Sequence, residues 1–183
     1  MNRIIGIAVA SLAFLILACG QAGQAGHPHR GASPVRLQIP RLHVDASVEQ
    51  VGADQGGRMA IPSDYRDVAW YAPGVVPGDR GDAVIDGHLD WVVGGRLTPA
   101  VFTDLGSLRT GDEVDVMSKD GRTLRFKVTD SRALAYNANP AQAGIFATGG
   151  TPRLTLITCT GTFDGSLHQY NQRRAVTAEL VNG

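Results

Sequence analysis

The sequence lacks an excess of charge of either sign and has few aromatic residues. Its 183 residues contain 17 Lys and Arg against 17 Asp and Glu, so the formal net charge is zero. A chain without surplus positive charge has no electrostatic basis for binding nucleic acid, and we predict no nucleic-acid partner. Aromatic residues make up 6% of the chain, whereas there are 23 Gly. This composition, with short runs of Val, Ile and Thr, favours β structure with many turns.

Long hydrophobic runs are also absent, except at the N-terminus. Arg3 precedes Ile4–Ala18, an uncharged run of fifteen residues. That length is typical of a signal-peptide core and is short of the ~20 residues that a membrane-spanning helix needs. The following Cys19 resembles the lipidated cysteine of a lipoprotein signal, although Leu17 is larger than the residue usual there. We predict that residues 1–19 are a lipoprotein-type signal peptide or an uncleaved signal anchor.

The next segment has nothing to bury. Residues 20–34 are rich in Gly, Ala and Gln, which predicts a flexible tether before a domain at 35–183. His27 and His29 lie in this tether without a third nearby ligand, so we predict no metal site there. The domain is then expected outside the cytoplasm, tethered to the outer face of the cytoplasmic membrane through its N-terminus.

The chain also has few cysteines. The chain contains two, Cys19 and Cys159, so one disulfide at most is possible. Lipidation or membrane insertion of Cys19 would prevent that pairing and leave Cys159 as a free thiol. A free thiol in an oxidising compartment is a liability that chemistry would justify.

The second cysteine lies in the stretch Leu154–Gly161, which reads LTLITCTG. Leu154 and Leu156 fall on one side of a period-two pattern and Cys159 on the other, which predicts a strand with Cys159 at its end, broken by Gly161. A thiol in that position is held rigidly and is open to substrate. The alternative is a small hydrophobic residue that ends a core strand.

Short alternating runs indicate several other strands. Asp120–Gly121 separates two of them and suits the positive-φ turn of a hairpin. Six to eight short strands with little helix predict a closed or nearly closed β-barrel, or a sandwich. The further strands are predicted at Val35–Ile39 (near an edge and ended by Pro40), Asp45–Val51, Ala83–Ile85, Glu113–Met117, Thr123–Thr129, Ser131–Tyr136 and Arg174–Val181.

Four other features are predicted between these strands. Val101–Leu108 has helical spacing over about two turns. Trp91–Pro99 is interpreted as a loop, and Asn137–Gly150 as a long loop with a helical turn. The Trp70–Tyr71 pair is expected either to cover one end of the core or to line a substrate groove.

A thiol becomes a useful nucleophile when a neighbouring base favours its thiolate, and histidine is the usual partner. His88 follows a predicted strand and Gly87, which places it like a residue at the rim of a site. His168, in the loop after Cys159, is an alternative base, and His43 lies beside the first strand. His88 is the leading candidate.

An acyl-transfer site also needs a positive or hydrogen-bonding group where the oxyanion develops. Arg173 and Arg174 open the last predicted strand. Val176, Ala178 and Leu180 share the parity of a core face, which would point Arg174 inward and Arg173 into a groove. Because burying an unpaired guanidinium is costly, the parity selects Arg173.

Taken together, these motifs resemble those of the sortases, the cell-surface cysteine transpeptidases of mainly Gram-positive bacteria. The opening motif and the compact length are most similar to class F or class E-like actinobacterial sortases. The resemblance covers Val35–Val181, in the order VRLQIPRLHVDASV, VIDGHLD, VFTDLGSLRTGDEV, KDGRTLRFKV, LTLITCTG and RRAVTAEL.

The resemblance implies a mainly β fold, a closed eight-stranded sortase-type β-barrel with one or two short helices. It implies that Cys159 attacks the Thr-Gly bond of an LPxTG-like sorting signal on a surface protein and forms a thioacyl-enzyme. His88 would protonate the leaving amine and later deprotonate the incoming one, and Arg173 would hold the substrate carbonyl and its oxyanion. The acceptor amine would come from a cell-wall precursor or a pilin lysine.

Two departures from the family pattern matter. The sequence here is YNQRR, where class F relatives have a YRDN-like motif. This difference leaves the choice between Arg173 and Arg174 open. The stretch Ala138–Pro152 contains no Asp or Glu, so we predict no calcium requirement, and no cofactor is expected. Two alternatives remain: a thiol peptidase that releases the acyl group to water, and a non-catalytic surface β-domain in which Cys159 is structural.

Overall fold

The computed structural model describes residues 31–181. The predicted signal segment 1–19, with Cys19, and the tether residues His27 and His29 lie outside the described residues. In the part of the chain that is described, no helix is long and apolar enough to cross a membrane.

The end of the predicted tether contacts the folded domain. The backbone N–H of Gly31 donates a hydrogen bond to Asp79 Oδ1 at 2.6 Å. The carbonyl of Ser33 accepts one from the Lys119 N–H at 2.8 Å. The first strand follows directly, from Pro34.

Residues 31–181 form ten strands, and eight of them close a barrel. The order around the barrel is β1-β2-β3-β4-β9-β10-β8-β7, and β5 pairs with β6 in a separate hairpin. The β2–β3 and β4–β9 pairs are parallel, and the other pairs are antiparallel. The closed eight-stranded barrel is confirmed. The strands are β1 (Pro34–Ile39), β2 (Val44–Val51), β3 (Val68–Tyr71), β4 (Gly81–Gly87), β5 (Asp90–Val93), β6 (Arg96–Pro99), β7 (Glu113–Ser118), β8 (Thr123–Ala135), β9 (Pro152–Asp164) and β10 (Gln169–Leu180).

The barrel interior is filled by the apolar side of each strand. These side chains alternate with polar ones because successive residues of a strand point to opposite faces. Each fully buried aliphatic side chain contributes about 1.5–3 kcal/mol through removal from water. Fully buried members include Leu37, Ile39, Val68, Ile85, Val114, Val116, Phe126, Leu154, Leu156 and Val176.

The predicted helix at Val101–Leu108 is wrong. The segment forms turns and one 3₁₀ helix at Leu105–Ser107, and the only other helix in residues 31–181 is the 3₁₀ turn Pro40–Leu42. Phe102, Leu105 and Leu108 are nevertheless buried against the core. Their spacing of three residues matches the 3₁₀ repeat, and a segment this short does not sustain an α-helix by itself.

The first strand differs from its predicted form in two ways. It pairs with β2 on one side and β7 on the other, so it is not an edge strand. The register shifts between Pro34 and Arg36, which leaves Val35 42% exposed rather than aligned with Leu37. This bulge could not be read from the alternation of apolar residues alone.

Two further boundaries change. Strand β8 is one strand where two were predicted. The register of its pairing with β10 shifts between Thr177 and Ala178, and Thr129 lies opposite that shift, so β8 continues through Thr129. Trp91–Pro99 is the β5–β6 hairpin rather than a loop, turning at Gly94–Gly95. The Asp120–Gly121 turn is confirmed, with Gly121 at a φ of 84°.

Candidate active site

Cys159 lies within a strand and not at its end. Strand β9 continues to Asp164, so the predicted break at Gly161 is wrong. Gly161 and Thr162 together face one residue of β10, Asn171, in a β-bulge. Gly161 adopts a φ of 86°, which glycine tolerates without strain, and the Thr162 N–H donates to Asn171 Oδ1 at 2.9 Å. The bulge therefore begins two residues after the thiol.

Two arginines start the apolar part of β10 and face opposite sides of it. Arg173 is paired with Cys159, and Arg174 with Thr158. The Nε of Arg174 and the Oγ1 of Thr158 are buried on the inner side, and neither has a hydrogen-bond partner among the described residues. Arg173 instead lines the groove on the outer side. The parity reasoning thus agrees with the side on which each arginine lies.

A tyrosine ring and two backbone carbonyls hold the Arg173 guanidinium in place. Its carbon lies 4.5 Å from the centre of the Tyr136 ring, a cation–π contact. Its Nη1 donates to the carbonyls of Tyr170 at 3.3 Å and Gln172 at 3.0 Å. Within residues 31–181, its Nε and Nη2 make no hydrogen bond, so both can donate to a ligand oxygen.

His88 directly follows β4. That strand runs parallel to β9 with Asp86 opposite Ile157, and His88 and Cys159 each lie two residues beyond this pair. The His88 Nε2 is 2.9 Å from the carbonyl oxygen of Pro62. Because a carbonyl oxygen only accepts, Nε2 carries the hydrogen, and Nδ1 of the neutral ring is left as the basic atom.

Two residues fix the surroundings of His88. A Cβ added to Gly87 would lie 2.5 Å from Cδ2 of Phe102, so only glycine allows β4 to pack this closely. The Trp91 ring lies 4.6 Å from the His88 ring, centre to centre, at 57°. The sequence reasoning placed Trp91 in a loop and missed this contact.

The other two histidines of the described part lie elsewhere. His168 is exposed in the turn that joins β9 to β10, beyond the Tyr170–Phe163 pair. His43 precedes β2, which is separated from β9 by two strands.

Asp86 is a site residue that the sequence reasoning missed. Its half-buried side chain lines the groove with Arg173 and has no hydrogen-bond partner among the described residues. Burial raises the pKa of Asp86 to about 7, and the charge of Arg173 opposes that rise. The available signal was its place in the sequence: it precedes His88 by two residues and shares the same face of the chain.

Charges of both signs act on the Cys159 thiol. Burial raises its pKa above the ordinary value, Arg173 lowers it, and Asp86 and Asp90 raise it further. The net direction is upward, so the thiol is protonated at neutral pH. A base is needed to activate it.

A groove of about 970 Å³ runs along this side of the barrel. Charged side chains, among them Asp86 and Arg173, line it together with apolar ones such as Ile157. The rings of Tyr71 and Phe146, which also line it, meet edge to face at 5.3 Å. Each alternative for the Trp70–Tyr71 pair applies to one of its residues. Trp70 is buried in the core, whereas Tyr71 lines the groove.

The segment 137–150, which contributes lining residues to the groove, is hydrogen-bonded to the barrel. The guanidinium groups of Arg132 and Arg153 donate hydrogen bonds to the consecutive carbonyls of Ala143–Gly144. Phe146 has a φ of 63°, a strained value for a bulky residue that persists only where its surroundings impose it. No group of three His, Cys, Asp or Glu side chains in the described residues is arranged to hold a metal ion.

Comparison with known proteins identifies the architecture. The family model described as the Sortase domain matches residues 37–181. Sortase C-1 from Actinomyces oris is 24% identical with a TM-score of 0.59, covering 82% of this chain and 76% of that chain. A lid mutant of sortase A from Corynebacterium diphtheriae is 20% identical with a TM-score of 0.60, covering 85% and 75%. No curated protein is similar enough in sequence to match.

A third similar structure is longer than this chain. Sortase C1 of GBS Pilus Island 1 is 18% identical with a TM-score of 0.60, over 81% of this chain. This chain spans 64% of that protein. At these identities the three likenesses show the fold.

Proposed function

This chain belongs to the sortase family, whose model covers residues 37–181, and on that premise we propose that it is a cysteine transpeptidase acting on an LPxTG-like sorting signal. One observation carries the proposal. Cys159 and Arg173 are opposite each other on paired strands, and His88 follows the neighbouring strand on the other side of β9. A nucleophile, a base and an oxyanion donor thus come from three adjacent strands of a rigid barrel.

In the first half-reaction, the Cys159 Sγ attacks the threonine carbonyl carbon of the signal, and the thiol proton passes to Nδ1 of His88. The developing oxyanion accepts hydrogen bonds from the free N–H groups of Arg173. The C–N bond then breaks, and Nδ1 returns its proton to the leaving glycine amine. The product is a thioester between Cys159 and the threonine.

In the second half-reaction, an acceptor amine attacks the thioester carbonyl. His88 Nδ1 removes the proton from the attacking nitrogen, and the C–S bond breaks. The departing thiolate of Cys159 takes that proton back from His88 Nδ1 as the new amide leaves, which restores the thiol and the neutral imidazole. Since burial raises the pKa of the thiol, the resting enzyme is the protonated form.

The groove supports a peptide of this composition. Its apolar lining residues, among them Tyr71 and Phe146, suit the leucine and proline of the signal. Arg173, which also lines it, suits the threonine carbonyl.

The remaining parts of the proposal rest on the sequence. Residues 1–19 would hold the domain at the outer face of the cytoplasmic membrane, by lipidation of Cys19 or as an anchor. The acceptor would be a cell-wall precursor or pilin lysine. The opening motif supports class F or class E-like specificity.

The test is acyl transfer followed by mass spectrometry. The purified protein is incubated with an LPxTG peptide, with and without a glycine-based amine, beside Cys159→Ala and Cys19→Ala. We expect a thioester on Cys159 and an amine-dependent ligated product. Both should be lost in Cys159→Ala and kept in Cys19→Ala.

Other outcomes favour the alternatives. Release of the acyl group to water with no ligation to any amine would favour the thiol peptidase. Absence of an acyl-enzyme across a broad panel of sorting peptides would favour the surface β-domain.

A further inference from the structure

The β5–β6 hairpin, Asp90–Pro99, lies beside the site but outside the barrel; we call it the rim hairpin. Its two strands pair only with each other. Most of its apolar side chains face solvent, with Trp91 38% and Leu97 70% exposed. Burial therefore contributes little to holding it in place.

In the part of the chain that the structure describes, a single side-chain hydrogen bond connects the rim hairpin to the barrel. The hydroxyl of Tyr170 donates to the carboxylate of Asp90. Among residues 31–181, no other side-chain hydrogen bond or ion pair joins this hairpin to another element. The pKa of Tyr170 is raised to about 12, chiefly by this bond. The pair is a partly buried hydrogen bond to a carboxylate.

Asp90 and Tyr170 lie in the two parts of the chain that form the candidate site, the segment after β4 and the strand pair β9–β10. Asp90 lies two residues after His88. Tyr170 lies three residues before Arg173 on β10, and its ring meets that of Phe163 edge to face at 5.2 Å. The bond therefore joins the segment that carries the histidine to the strands that carry the cysteine and the arginine.

The rim hairpin reaches His88 through Trp91. The indole packs on one side of the imidazole, and the Pro62 carbonyl holds the ring through Nε2 at 2.9 Å. The carbonyl fixes one atom of the ring, and rotation about that contact is limited by the indole. The orientation of Nδ1 thus depends on where the hairpin holds Trp91.

Building on the proposed transpeptidase, we propose that Asp90 and Tyr170 are positioning residues, whose hydrogen bond holds the rim hairpin so that His88 stays oriented toward Cys159. Neither residue touches the reacting atoms in this scheme. Their effect is on proton transfer, which contributes about 10²–10⁴-fold when the acid–base group is well placed. Substrate binding in the groove does not depend on the pair.

The test compares variants of the full-length protein in the peptide–amine transfer assay. Tyr170→Phe and Asp90→Ala should each lower kcat by about tenfold or more with KM nearly unchanged, since only part of the acid–base contribution is lost. The double variant should be no worse than either single one, because both remove the same bond. Tyr65→Phe is the matched control: its hydroxyl makes no hydrogen bond among the described residues, and its kcat should equal that of the parent.

Asp90→Asn separates the hydrogen bond from the charge. Its Oδ1 still accepts from Tyr170, so it should recover most of the kcat that Asp90→Ala loses. Equal losses in Asp90→Asn and Asp90→Ala would overturn the proposal, because the charge and not the bond would then matter. This comparison also decides the question if Tyr170→Phe fails to fold. A Tyr170→Phe variant with parental kcat would overturn it as well.

A second readout needs no peptide substrate. The pH dependence of Cys159 alkylation by iodoacetamide is measured by mass spectrometry on the tryptic peptide 154–173, which separates it from Cys19. Arg173, Asp86, Asp90 and Tyr170 act electrostatically on the thiol. Tyr170→Phe keeps the first three and, because the pKa of Tyr170 is about 12, removes no charge at lower pH. We expect the pH profile of Cys159 alkylation in Tyr170→Phe to shift toward the profile of His88→Ala. An unchanged profile contradicts the proposal. Failure of the proposed function would instead appear as absent acyl transfer in the parent protein.

Discussion

The same three barrel strands, β4, β9 and β10, have two faces of opposite character. The inner face is apolar: Ile85, Leu156 and Val176 are fully buried. The outer face carries Asp86, Cys159 and Arg173 at the candidate site, and farther along it Val84 and Ala175 belong to a second, smaller buried apolar cluster. Because strand side chains alternate, residues one position apart serve stability on one side and chemistry on the other.

The largest expected effect separates these two faces on β9. Leu156→Ala should lower the free energy of unfolding by about 2–5 kcal/mol, because it leaves a cavity in a closed core. Cys159→Ala should change stability by less than about 1 kcal/mol and lower the transfer rate by at least about 10³-fold. Chemical denaturation and the peptide assay measure the two. A comparable loss of stability in Cys159→Ala would show that the thiol is a core residue.

The second effect concerns the close packing of β4 against the core at Gly87. Gly87→Ala would place a Cβ 2.5 Å from Cδ2 of the fully buried Phe102. We expect a stability loss of about 1–3 kcal/mol from overpacking, with a lower kcat because His88 is displaced. Gly165→Ala is the control, since a Cβ there meets nothing within 4 Å. Equal melting temperatures for the two variants would contradict this.

The third effect concerns Asp86 on the outer face, whose carboxyl makes no hydrogen bond within residues 31–181. Burial raises the pKa of Asp86 from 3.8 to about 7, so the folded state binds the proton more tightly than the unfolded state. The resulting stabilisation is complete below pH ~4 and is lost as the pH rises through about 7. Asp86→Asn should therefore match the parent at low pH and exceed it by roughly 1–2 kcal/mol at pH 8, allowing for partial exposure.

Thermal unfolding from pH 4 to 8 measures this difference. The exposed Asp104→Asn is the control and should run parallel to the parent. A gap between Asp86→Asn and the parent that does not grow with pH would mean that Asp86 is ionised without cost in the folded protein.

The smallest effect concerns a polar exception on the inner face. The Oγ1 of Thr158 is buried without a partner among the described residues. Thr158→Val removes that unsatisfied hydroxyl and should stabilise the protein by up to about 1 kcal/mol. Thr155→Val should instead destabilise it, because Thr155 Oγ1 donates to the buried Asp82 at 2.8 Å. Destabilisation by Thr158→Val would indicate a partner for the hydroxyl, such as a bound water.

Local patterns predicted the strands best where one face is apolar and the register is regular. The alternation in Leu154–Gly161 gave the correct parity for Leu156 and Cys159, and the Asp-Gly turn gave the β7–β8 hairpin. They failed where a register shift intervenes, at Val35 and at Gly161. A bulge depends on what lies on the partner strand, which the alternation within one strand does not contain.

The candidate site divides in the same way. The sequence by itself predicted the faces of Cys159 and Arg173 from strand parity and the position of His88 after a strand and Gly87, since these are local properties. Only the tertiary structure decided that Asp86 has no hydrogen-bond partner in the described part of the chain and that Tyr170 donates a hydrogen bond to Asp90. Those properties depend on contacts between residues up to 80 positions apart, which form only when the barrel closes and sets the register of strands distant in sequence.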